Sequence, residues 1–332
     1  MRIPAAPGRD VAAAARGRAV DLGYAAGWGL LKAVPSPLAT RWFQVGADAA
    51  TVRNGPAARQ LRANLRRVVG PEVSELRMDQ LVGDALRSYS RYWLETFRLP
   101  KMDHDDVVSR VHSEGTDNLI EAIGRGKGVI CALPHMGNWD VAALWLVAQG
   151  HPFTTVAERL KPESLFDRFV AYRESLGMEV VALTGGERPP TDILKERLAA
   201  GRVICLVSDR DLSRNGIDVT FFGEATRMPA GPALLAATTG AAVCPVGLWF
   251  TKDGWGHRIN PPIEVPTEGR LRDRVAATTQ ALAHAFEREI AANPVDWHML
   301  QRLWLADLPP RPLAPSKATE SMATESKAAA DQ

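Results

Sequence analysis

Hydrophobic spacing along this chain changes character near residue 100. Before it the chain reads as helices: Tyr89, Trp93 and Phe97 recur at helical spacing until Pro100 stops the pattern. From Gly128 onward, short apolar runs alternate with helical patterns. Strands are predicted at 128–133, 153–157, 179–183, 203–207, 218–222, 242–250 and 257–265. Helices are predicted at 139–149, 164–176, 191–200, 231–239 and 270–292. That alternation predicts an α/β fold, a central mostly parallel sheet flanked by helices. Three regions follow: a helical region over 1–100, an α/β core over 101–308, and a tail over 309–332. In the tail, Pro-Pro-Arg-Pro and a near-repeat of Ala-Thr-Glu-Ser predict disorder.

A chain of 332 residues, 46% of them hydrophobic, can bury a sizeable core. The stretch 22–31, between Asp21 and Lys32, has ten uncharged residues, short of the roughly 18 that span a bilayer, and the chain is expected to be peripheral rather than membrane-spanning. Arg9, Asp10, Arg16 and Arg18 interrupt any secretory apolar run, so the expected location is the cytoplasmic side. Cys131, Cys205 and Cys244 lie inside apolar runs and read as small buried hydrophobes in a reducing compartment. The net charge of +2 divides into +7 over residues 1–100 and −5 over the remainder. With the basic, Gly/Ala/Trp-rich stretches 11–34 and 47–69, and Tyr24, Trp28, Leu30 and Leu31 as interfacial residues, this predicts peripheral contact with an anionic inner leaflet. Ordinary helix packing with a solvated basic face is the competing reading. No nucleic-acid partner is expected.

The chemistry concentrates in Leu-Pro-His-Met-Gly-Asn-Trp-Asp, directly after the strand 128–133. His135 then stands at the open end of a sheet, where α/β folds place ligands and catalytic groups. Asn138 suits the cap of the helix 139–149, and Asp140 its first turn. On one continuous helix, residues five apart point about 140° away from each other. The turn between them is what lets Asp140 fold back and orient His135 as a general base. Backbone N–H groups around Gly137 and Asn138 are candidate oxyanion donors. The bland alternative is a structural histidine and a favourable end charge. No G-x-S-x-G elbow is present, and Gly124-Arg125-Gly126-Lys127-Gly128 precedes a strand, so it reads as a turn rather than a phosphate loop. Without His-Glu-x-x-His or a Cys/His cluster, neither a metal nor a redox cofactor is expected.

His135, four residues and Asp140 resemble the His-x4-Asp signature of the glycerolipid acyltransferase superfamily. The wording His-Met-Gly-Asn-Trp-Asp is similar to its lipid A lauroyl/myristoyl acyltransferase branch, and within that to the phosphatidylinositol mannoside acyltransferases. The resemblance continues through Ala157-Glu158-Arg159, Tyr172-Arg173, Asp209-Arg210-Asp211-Leu212, Phe221-Phe222-Gly223, 227–232 and Trp297-His298-Met299-Leu300-Gln301. It covers roughly residues 20 to 305. It implies an acyl-CoA-dependent glycolipid O-acyltransferase, peripheral on the cytoplasmic face of the cell membrane. A long acyl group, palmitoyl, would pass from acyl-CoA, the co-substrate, to the 6-position of the mannose on inositol position 2 of a phosphatidylinositol mannoside. It also implies that Asp209 joins His135 and Asp140 in catalysis, and that Glu158, Arg173, Asn138 and Arg210 bind substrate. Relatives often carry the longer Glu at the position of Asp209. The competing readings are a lipid A precursor or other glycolipid as acceptor, with acyl carrier protein as donor; a catalytically silent membrane-surface lipid-binding module; and a lipid hydrolase. Burying a long acyl chain at about 0.8 kcal/mol per CH₂ calls for a groove. The helices before residue 100 and the helix 231–239 are its candidate walls.

Overall fold

A computed structural model describes residues 34–159, 163–211 and 216–308. The tail over 309–332 and the proposed interfacial residues Tyr24, Trp28, Leu30 and Leu31 lie outside the described residues. The helical region opens with α1 (Ser36–Arg53), α2 (Pro56–Val69) and α3 (Glu75–Arg98). Pro56 starts α2, Ser74 caps α3 by accepting the Arg77 N–H at 3.3 Å, and Glu75 complements the dipole of its first turn. Leu61 and Leu65 of α2 meet Met78, Leu81, Val82 and Leu86 of α3 in a separate apolar cluster.

Then come α4 (His104–Ser109), β1 (Val111–Glu114), α5 (Thr116–Gly124), β2 (Val129–Leu133), α6 (Trp139–Ala148), β3 (Phe153–Ala157), α7 (Glu163–Ser175) and β4 (Glu179–Ala182). They are followed by α8 (Pro190–Ala199), β5 (Val203–Val207), β6 (Ile217–Phe221), β7 (Glu224–Met228), α9 (Gly231–Thr239), β8 (Ala242–Phe250), β9 (Trp255–Ile259) and α10 (Leu271–Ala292). The central sheet has the order β1-β9-β8-β2-β5-β3-β4. It is parallel except that β8 and β9 form an antiparallel pair, with β1 following β9. All five residues of β2 are buried, the signature of a strand covered on both faces.

Three details differ from the sequence reading. The last strand lies at Trp255–Ile259 instead of 257–265, and β1 was not anticipated: at four residues, only partly buried, it carries no clear period. β6 pairs with β7 in a hairpin outside the main sheet, its Phe222-Gly223 turn held at φ 48° and 79°, the sense that matches strand twist. From β2 the chain crosses beyond β5 to β3, and from β5 it returns to β8 on the other side of β2. The crevice where connections diverge therefore lies at the carboxyl ends of β2 and β5.

Candidate active site

Leu133 of β2 is registered with Val207 of β5, and His135 and Asp209 each stand two residues beyond that pair. Parallel register thus brings them together across 74 residues of chain. His135 Nδ1 is hydrogen-bonded to Asp209 Oδ1, and the His135 backbone N–H donates to Asp209 Oδ2 at 3.0 Å. The Trp297 indole N–H donates to the same Oδ2 at 2.9 Å. Burial opposes the charge on Asp209, but the imidazole and these three hydrogen bonds overcome it and hold its carboxyl below the usual range. With Nδ1 held, Nε2 is the ring atom left to accept a proton.

The expected pairing of His135 with Asp140 is corrected by this geometry. Asn138 does cap α6, its Oδ1 accepting the Asp140 and Val141 N–H groups at 3.1 Å each. That cap turns Asp140 into the interior, where it is 1% exposed and accepts from Arg173 Nε at 3.1 Å. Its Oδ2 is buried without a partner. Burial works against the Arg173 charge, yet Asp140 keeps its pKa raised. Gly137 is likewise committed: its N–H donates to the Asp296 carbonyl at 2.8 Å, so it is not a free oxyanion donor. With φ 56° and an ideal Cβ only 2.7 Å from Leu248 Cβ, this position requires glycine.

Glu158 is exposed just past β3 at the same sheet edge, with no hydrogen bond to His135, Asp140 or Asp209 among the described residues. Arg210 is half-buried beside Asp209, its Nε buried and unpartnered. Asp211 accepts from the Gly216 N–H at 2.7 Å.

Several residues that frame the site had no assigned role. Glu95 of α3 receives Asn138 Nδ2 and Trp255 Nε1, both at 2.7 Å, tying the turn after β2 to the helical region. Its only sequence signal is Arg91, an i,i+4 partner at 2.6 Å. The 297–301 segment, noticed only as part of a resemblance, forms the opposite wall: the His298 N–H donates to the His135 carbonyl at 2.7 Å, and Asn64 holds the Met299 and Gln301 carbonyls at 2.7 and 2.9 Å. Among the described residues no three of His, Cys, Asp and Glu gather as a metal-ligand set.

Two buried histidines give the fold a pH dependence. Burial, with His135 nearby, pushes His298 down to about 3; burial, with His112 nearby, pushes His257 down to about 4. Below about pH 6.5 an unfolded chain takes up two protons that the native protein refuses. Stability is therefore expected to fall from pH 6.5 toward 4, at up to about 2.7 kcal/mol per pH unit. Urea unfolding at pH 7, 6 and 5 tests this, and a flat profile would contradict it.

Beside Asp140 and Arg173 lies a narrow, mostly apolar pocket between α6 and the sheet. Neither the helices before residue 100 nor α9, the expected groove walls, lines it. Tyr89, Trp93 and Phe97 instead line a separate, open groove with Trp42 of α1.

Comparison with known proteins identifies related acyltransferases. A phosphatidylinositol mannoside acyltransferase of Mycolicibacterium smegmatis is 54% identical over 292 residues, covering 88% of this chain and 93% of the relative. Proteins of the same name from two Mycobacterium tuberculosis strains, CDC 1551 / Oshkosh and H37Rv, are each 51% identical over 292 residues, covering 87% of this chain and 90% of theirs. The family profile for bacterial lipid A biosynthesis acyltransferase matches residues 8–306, nearly the whole described chain, and the chain belongs to that acyltransferase family.

Proposed function

We propose that this chain transfers a long-chain acyl group, palmitoyl, from acyl-CoA to the 6-position of the mannose on inositol position 2 of a phosphatidylinositol mannoside. The observation that carries the mechanism is the His135–Asp209 pair just beyond the carboxyl ends of β2 and β5. The acceptor is inferred from the names of relatives that share half of the sequence. A thioester is already activated, so base catalysis without a covalent enzyme intermediate suffices. His135 Nε2 takes the sugar hydroxyl proton as the oxygen attacks the carbonyl, and the thiolate of CoA leaves. Asp209 fixes the tautomer and steadies the imidazolium. Arg173, whose Nε donates to Asp140, stands at the pocket and binds substrate. Glu158 and Arg210, at the carboxyl edge of the sheet, contact the acceptor. Leu38, Trp42, Val45 and Val52 form an exposed apolar row on α1 that supports peripheral contact with the inner leaflet on the cytoplasmic face. No helix among the described residues is long and apolar enough to cross a membrane.

The test is mass analysis of lipid products when purified protein meets palmitoyl-CoA and a panel of acceptors. A phosphatidylinositol mannoside gaining one palmitoyl group, with CoA released, supports the reading. Acylation only of a lipid A precursor, or only with acyl carrier protein as donor, overturns the acceptor or donor assignment. Fatty acid released without any acylated lipid makes the protein a hydrolase.

A further inference from the structure

The turn between β2 and α6 is fastened on one side by the C-terminal half of the chain. The His135 N–H donates to Asp209 Oδ2 at 3.0 Å, the Gly137 N–H donates to the Asp296 carbonyl at 2.8 Å, and the His135 carbonyl accepts from the His298 N–H at 2.7 Å. At the far end of the turn, Asn138 is 3% exposed. Its Oδ1 accepts the Asp140 and Val141 N–H groups at 3.1 Å each, so its NH₂ points the other way and needs an acceptor. That acceptor is Glu95 Oε2 at 2.7 Å. Glu95 is more than an i,i+4 partner of Arg91. Its side chain is 13% exposed, with Oε1 taking Arg91 Nε at 2.6 Å and Oε2 taking the Trp255 indole N–H at 2.7 Å besides Asn138. Arg91 is fixed in turn, its two Nη groups on the Thr251 and Gly254 carbonyls at 2.9 and 2.8 Å and its guanidinium 4.2 Å over the Phe250 ring. A carboxylate in so rigid a frame fixes both the orientation of the Asn138 amide and the place where α6 begins.

We infer that Glu95 is a positioning residue for the transfer reaction: through Asn138 it holds the turn so that His135 Nδ1 meets Asp209. The assignment rests on the acyltransfer reading above and adds to it a residue of the helical region. His135 stands three residues before Asn138 and two after the end of β2, so a shift at Asn138 is passed to the imidazole. With both ends of its amide engaged, Asn138 positions the turn rather than binding substrate. Glu95 acts through it and not on the base itself.

The experiment measures kcat and both KM values, with palmitoyl-CoA and a phosphatidylinositol mannoside, for the wild-type protein and a set of variants. Glu95→Ala is expected to lower kcat by about ten- to hundred-fold with both KM values within about two-fold, because a displaced base costs rate without costing binding. Glu95→Gln keeps an oxygen for Asn138 and Trp255, so most of the rate is expected to return. Asn138→Asp caps α6 as well as asparagine does but sets a second carboxylate against Glu95, and its kcat is expected to fall as in Glu95→Ala. Adding Glu95→Gln to it supplies an NH₂ donor across the contact and is expected to restore the rate. Trp255→Phe removes the other donor to Oε2 while leaving Asn138 in place, and kcat is expected to hold. Equal losses in Glu95→Ala and Glu95→Gln, or a loss in Trp255→Phe as large as in Glu95→Ala, overturn the inference while leaving the acyltransfer reading intact. Should Glu95→Ala not fold, Asn138→Asp decides: rescue by Glu95→Gln supports the inference and failure of rescue overturns it. If the wild-type protein transfers nothing, the acyltransfer reading falls, and the imidazole nitrogen shifts of histidine-labelled protein, assigned by their loss in His135→Ala, test the positioning alone. The Nδ1–H tautomer of His135 is expected to dominate in the wild-type protein and Glu95→Gln and to become mixed in Glu95→Ala and in Asn138→Asp. One unchanged tautomer in all of them overturns the inference.

Discussion

His135→Ala is expected to lower kcat by about 10² to 10⁴ while leaving the protein folded. The rate falls because no other group in the site combines reach with a proton-accepting nitrogen: His298 is buried and pushed down to about 3. The fold survives because Asp209 keeps the Trp297 indole at 2.9 Å and the backbone N–H of residue 135 at 3.0 Å, so its buried carboxylate still has two donors. Single-turnover rates with palmitoyl-CoA and acceptor, beside a thermal melt, check both halves. A variant that is stable and retains wild-type rate would remove His135 from the mechanism.

The second large effect separates the two aspartates. In Asp209→Asn, the Trp297 indole and the residue 135 amide both donate to one side-chain oxygen, so the amide oxygen must take that position. Its NH₂ then faces His135 Nδ1 and forces the ring proton onto Nε2, the atom that has to accept. A loss on the order of 10⁴ in kcat is expected, as for the carboxylate of a serine-protease triad, with little change in donor KM. Asp140→Asn acts differently. It removes the countercharge of buried Arg173, so about 3–5 kcal/mol of stability should be lost, with a smaller fall in kcat. Denaturant unfolding and steady-state kinetics on both variants distinguish the roles. A stable but inactive Asp140→Asn beside an active Asp209→Asn would assign the base's partner to Asp140 after all.

Much of the fold was legible because burial on both faces leaves a mark on sequence. β2, β5 and β8 are continuous apolar runs, and each was placed within a residue or so of its position. β1 and β7 were missed because short, half-exposed strands carry no such mark. Asn138 as a cap follows from local chemistry, since a cap and its helix are neighbours in the chain.

The partner of His135 was not legible in the same way. Asp140 sits five residues away and satisfies the motif, yet the Asn138 cap turns it inward to Arg173. Asp209 is local only in space, where the pairing of Leu133 with Val207 sets its side chain beside the imidazole. The pocket under α6 has the same character, because it depends on which small residues of α6 face which small residues of three strands.

Periodicity, capping and the motif around His135 therefore determined most of the elements and the sheet edge at which His135 stands. Those signals come from interactions between residues a few positions apart. Tertiary structure alone decided which carboxylate meets the His135 imidazole, which backbone donors are already used, and where apolar space remains. Each of these depends on strand register and helix packing between segments that are remote in sequence.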